Sequence, residues 1–273
     1  MQNMIRIGMV GFLILTLGCK KTPTTLEGQT LDKKEITSNI VVEQDIIDAF
    51  AQKHMGQILW HEILSKYPLY YQPELTLYLN EVGAHVSIPS LRKSVAYHFY
   101  ILDSQEVFSL GLPGGDILVS RGLLQKIETE SELAGVLGTE IVAVEKQYFL
   151  RLLQKDHPSE SIANSLIQNK KKIAESYLFL RNNRFTDQQI NEADRLGMTY
   201  AQHFGYIPED FHQLLERLFV WQSTQKKLET GKYNYDILDH RRSMSQVIIR
   251  DLAKHQEKFP KTQDRYKKYK KFL

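Results

Sequence analysis

The chain has 273 residues, 42% of them hydrophobic and 25% charged, with a formal net charge of +3. That is apolar material enough for a sizeable core and too little positive charge to argue for nucleic acid. One cysteine, Cys19, excludes an internal disulfide.

In chain order, the first segment reads "MQNMIRIGMVGFLILTLGCKK". Arg6 precedes an apolar run at 9–17 that is far short of the roughly 20 residues needed to span a bilayer and suits the central region of a secretory signal. Gly18-Cys19 then resembles a bacterial lipobox, so residues 1–18 are expected to be a signal peptide and Cys19 the lipidated N-terminus. The plain alternative is a signal peptide with an incidental Cys. Residues 19–40 are polar and Thr-rich without apolar period, which predicts a flexible tether.

From residue 41 the pattern is globular. Ile46, Ile47, Phe50, Ile58, Leu59 and Leu64 recur at helical spacing. "QPELTLYLNEVGAHV" predicts a second helix, with Gly83 a candidate interruption. "AYHFYILDS" alternates and is aromatic, the mark of a strand, and "LPGGDILVSRGLL" predicts a turn, a short strand and a helix start. Thr129 and Glu132 form a capping box ahead of Leu133, Val136, Leu137, Ile141 and Val144, which opens the helix carrying Glu140. Residues 155–186 read as polar and helical, and three further helices follow, in "DQQINEADRLGMTYAQHFGY", "PEDFHQLLERLFVWQ" and "MSQVIIRDLAKH". Helices dominate and strands gather in the middle, so the class is α+β. A domain over 41–255 is expected, followed by a basic aromatic tail at 256–273. Its stretch 258–273 holds seven basic residues against Asp264, with Tyr266, Tyr269 and Phe272 between them. It suits either an anionic membrane surface or plain solvation.

The order of three stretches, "YHFYILDSQEVFSLGLPGGDILVSRGLLQKIETESELAGVLGTE", "RFTDQQINEADRLGMTYAQHFGYIPEDF" and "LDHRRSMSQVIIRDL", resembles the CAAX prenyl endopeptidase/HtpX family of zinc metallopeptidases, most closely its soluble periplasmic lipoprotein branch. The resemblance implies a mainly helical zincin-like metallopeptidase fold with a small central sheet. It also implies a metal held by two His four apart on one helix and by a Glu four residues before the Asp of Glu-Ala-Asp. Those positions hold Thr139, Ala143 and Ile190. Glu140 matches the family's general base, while Asp194 and His240 match residues near the metal. A catalytic zinc takes three protein ligands and a water. Without the ion, bound water keeps a pKa of about 15.7 rather than about 7, and Glu140 has nothing acidic to deprotonate. No cofactor is therefore expected, and Glu140 is not expected to act.

Other metal sets drawn from Glu140, Glu145, Asp194, His203 and His240 lack a second ligand in register, and a hydrogen-bonded structural role is the simpler reading of His240. In relatives, the strand after Leu-Pro-Gly-Gly is an edge along which substrate pairs. Gly114, Gly115, Asp116 and Ile117 are thus candidate peptide-binding residues, with a tight glycine turn as the alternative. Phe108 stands where the family carries Asn. The expected function is an exported, catalytically inactive, membrane-anchored lipoprotein that binds or scaffolds extended peptide segments, with a peptide or envelope protein as partner and no nucleic acid. The alternative is an active metalloendopeptidase with an atypical metal site.

Overall fold

The computed structural model describes residues 52–151, 185–226, 235–254 and 262–273. The signal segment, Cys19, the tether and nearly all of the Lys-rich stretch at 155–186 lie outside the described residues. Among the described residues are the helices and strands α1 (residues 52–66), α2 (Pro73–Ser87), β1 (His98–Leu102), β2 (Ser109–Gly111), β3 (Asp116–Ser120), α3 (Arg121–Lys126), α4 (Glu130–Glu145), α5 (Asp187–His203), α6 (Pro208–Lys226), α7 (Tyr235–Lys254) and α8 (Tyr266–Lys270). The fold is α+β, mainly helical with one small mixed sheet, as the sequence predicts.

Local chemistry sets the helix starts. Thr129 accepts from the Glu132 amide to open α4, Thr186 and Gln189 form a reciprocal capping box on α5, and Pro73 sits in the first turn of α2. Helix α2 runs unbroken through Gly83. Helix α4 is buried nearly all round, including Leu133, Val136, Leu137, Ile141 and Val144, and so occupies the centre of the domain.

The sheet order is β1-β3-β2, with β1 parallel and β2 antiparallel to β3. Both faces are covered, and alternation sorts the side chains. Phe99, Ile101, Ile117 and Val119 join the cluster built on α2 and α4, while Leu102, Leu110 and Leu118 face Met55 and Leu59 of α1.

This order corrects the expected open edge. The strand after the two glycines is central: His98 pairs with Asp116, and Ile117 pairs with both Phe99 and Gly111. Gly114 and Gly115 adopt φ of 94° and 111°, the left-handed region that favours glycine. A Cβ on Gly115 would lie 2.2 Å from the Ala96 carbonyl oxygen, and one on Gly114 2.8 Å from Lys53 Cα. The glycines serve a tight, covered turn, and no second chain can pair at Asp116 and Ile117. The outer edge of β1 is closed as well, because the Asn80 side-chain amide donates to Phe99 O (2.8 Å) and accepts from Phe99 N (3.1 Å).

Residues 262–273 do not behave as a solvated tail or a membrane-lying segment. Tyr266 is wholly buried, Tyr269 stacks on Tyr78 with ring centroids 4.0 Å apart, and Tyr70 donates to the Phe272 carbonyl (2.7 Å). Among the described residues no helix is long and apolar enough to cross a membrane.

Candidate functional site

Helices α4 and α5 cross at two glycines. A Cβ on Gly138 would stand 2.5 Å from the Gly197 carbonyl oxygen, and one on Gly197 would stand 2.6 Å from the Gly138 carbonyl carbon. Only a pair of glycines lets the two backbones touch. That contact sets Thr139 of α4 beside Asp194 of α5, with Thr139 Oγ1 3.2 Å from Asp194 Oδ1 and 3.1 Å from the Gly135 carbonyl.

Asp194 is buried and carries a forked partner. Arg241 of α7 donates through Nε to Oδ2 (2.9 Å) and through Nη2 to Oδ1 (2.7 Å), the planar geometry that suits guanidinium and carboxylate. Burial by itself would lower the guanidinium pKa, but the Asp194 charge and hydrogen bonds, with Glu140 adding to them, raise it. Arg241 therefore stays a cation in the centre of the site.

Glu140 points the other way, to the sheet. Its Oε1 accepts from the Ser109 hydroxyl (2.6 Å) and its Oε2 from the Gly111 amide (2.8 Å). The carboxylate thus satisfies the outward N–H of the edge strand β2. Ala143 packs against the core and Ile190 is buried. Glu145 accepts from Ser90 Oγ, the Leu91 amide and the Tyr200 hydroxyl. His240 lies on the flank of α5, with Nε2 2.9 Å from Asn191 Oδ1 and Nδ1 3.9 Å from Asp187 Oδ2. The side chain beside it, Arg241, is the one that enters the site. His203 is exposed and meets Phe204 edge-on.

Next to these groups is a cavity of about 150 Å³. Thr139, Glu140, Gln222 and Arg241 give it a polar side, and Val107, Phe108, Leu218 and Trp221 an apolar one. Arg241, Ser109 and Gln222 were missed in the sequence reading. Only Arg241 had a usable signal, as a cation adjacent to a family-matched histidine.

With this geometry in hand, the comparisons place the chain. Residues 72–245 match the model of peptidase family M48, and the chain belongs to that family of metallopeptidases. It is 25% identical over 181 residues to the "Beta-barrel assembly-enhancing protease" of Escherichia coli (strain K12), covering 61% of this chain and 37% of that protein. Against the Yersinia pestis protein of the same name it is 24% identical over 178 residues, again 37% of the relative. The chain thus matches little more than a third of the length of these curated relatives.

Zinc, the metal the resemblance implies, does not fit the side chains at Thr139, Ala143 and Ile190. Two of them are hydrocarbons without a donor atom, and the third is a hydroxyl shared between Asp194 and Gly135. Asp194 is committed to Arg241 and Glu140 to β2. Among the described residues no three His, Cys, Asp or Glu side chains are grouped to hold a metal ion.

Proposed function

We propose that this chain is a non-hydrolysing member of family M48 that works in the cell envelope as a binding or scaffolding module, tethered through a lipid on Cys19. The observation that carries the reading is the internal saturation of the site. The charge of Asp194 is met by Arg241, and both oxygens of Glu140 are held by Ser109 and Gly111. A general base must reach an activated water, whereas this carboxylate ties an edge strand to a helix. Thr139, Ala143 and Ile190, read as replaced zinc ligands, support the same conclusion. The partner that fits is a segment of an envelope protein. The β-barrel assembly in the relatives' name favours that class, and with the turn at Gly114 and Gly115 covered, the docking place in this reading is the cavity beside Glu140.

The test is metal content together with cleavage. Purified full chain is expected to hold far less than one zinc per molecule and to leave an unfolded outer-membrane protein intact. Stoichiometric zinc, or cleavage stopped by a chelator, would overturn the reading. For the anchor, Cys19→Ser is expected to shift the protein from the detergent phase to the aqueous phase, and unchanged partitioning would remove the lipid from the proposal.

A further inference from the structure

Among the described residues, three buried side-chain polar atoms have no hydrogen-bond partner: Gln52 Nε2, Arg121 Nε and Gln222 Oε1. Only Gln222 lines the cavity beside Glu140, and it is 4% exposed. A buried carbonyl left unpaired is destabilising, and native structures keep such groups where a water or a ligand completes them. Several donors around the cavity are engaged within the site. Ser109 Oγ and the Gly111 amide serve Glu140, Nε and Nη2 of Arg241 serve Asp194, and Thr139 Oγ1 is shared between Asp194 and Gly135. The group left without a partner on this wall is an acceptor, Gln222 Oε1.

The rest of the wall is apolar, from Val107, Val136, Leu215, Leu218 and Leu238. A cavity of about 150 Å³ is the size class that takes one benzene-sized ring. Val107, Phe108, Trp221 and Leu238 are half-buried, so the cavity opens to solvent on their side.

From the paired observations of an orphaned acceptor and a ring-sized cavity with one apolar wall, we infer that this is a pocket for a tyrosine side chain of a partner polypeptide. The ring lies on the apolar wall and its O–H donates to Gln222 Oε1. The inference rests on the non-hydrolysing reading, because the partner's residue is held and not turned over. It fails separately from that reading, since zinc content does not enter its test.

The probes are N-acetyl-tyrosinamide and N-acetyl-phenylalaninamide, titrated into the full chain carrying Trp60→Phe. The chain has two tryptophans, so Trp221 in the pocket wall then reports alone. The phenol is expected to bind about tenfold more tightly than the phenyl ring, the worth of one net hydrogen bond. In Gln222→Leu and in Gln222→Met, two acceptor-free side chains tested separately for folding by circular dichroism, the ratio is expected to fall to near one while phenyl affinity stays. Equal affinities in the parent, no binding of either amide, or a tenfold ratio that survives both substitutions would overturn the inference.

Discussion

Arg241 is the residue on which the site's electrostatics turn. Its guanidinium neutralises Asp194, whose side chain is 2% exposed, while its own is 24% exposed. Removing one member of a buried ion pair strands the other, which costs about 3–5 kcal/mol, whereas replacing both is far milder. Arg241→Leu is therefore expected to lower unfolding stability by an amount in that range, and Arg241→Leu with Asp194→Asn to recover most of it. Urea denaturation of the two variants and the parent measures this, and equal losses in single and double variants would show that the pair is not the unit described. The sequence made Asp194 visible through Glu-Ala-Asp, but not its partner. Two arginines follow His240, and which one turns inward depends on how α7 packs on α5, a tertiary fact without a local signature.

The helix elements were legible because their signals are local: the Thr129 cap, the Pro73 start and the apolar period of α4 all lie within one turn of what they determine. Gly83 was a candidate break and is a contact instead, since a Cβ there would meet the Phe99 ring at 2.4 Å. The sheet was legible as strands but not as pairings. "GGDILVS" reads the same whether β3 is central or at an edge, and only the long-range partners His98–Leu102 and Ser109–Gly111 decide. Beyond the glycine crossing, α4 and α5 are held together by Glu192, which accepts from Lys146 Nζ (2.8 Å) and the Tyr148 hydroxyl (2.7 Å) just past the end of α4. Those hydrogen bonds, Lys146 first, hold the Glu192 carboxyl below its ordinary value. A folded-state pKa that is depressed gives stability present above the unfolded carboxylate value of about 4.3 and lost as pH falls through the folded value. The advantage of the parent over Glu192→Gln is thus expected to be full near neutral pH and to fade in acid below about pH 4. Paired denaturation curves across that range check it, and an advantage that grows on acidification would contradict the sign.

At the scale of the whole molecule, the domain extends through residues 262–273. Glu130, 1% exposed, accepts from Tyr78 and Tyr206 and from three nitrogens of Arg265, whose outer nitrogen also reaches Glu81 at 2.7 Å. Asp264 accepts from the Glu130 amide at the start of α4. Basic composition pointed to a tail, while Tyr266, Tyr269 and Phe272, three apart, already carried the helical period of a packed face. Arg265→Met is expected to cost about 3–5 kcal/mol by leaving a buried carboxylate without its cation. Lys267→Ser with Lys268→Ser, both exposed, is expected to stay within about 0.5 kcal/mol per site. Thermal melts of the two variants separate a packed strap from a solvated tail, and similar small losses in both would favour the tail.

The strap also has a consequence in time. Glu130 and Arg265 are 135 residues apart, so during synthesis the carboxylate emerges on the order of ten seconds before the cation that neutralises it. In that interval the start of the central helix carries a carboxylate without its cation, and closing the core around it is disfavoured. Closure falls to a late event that joins two distant parts of the sequence rather than to any single helix forming early.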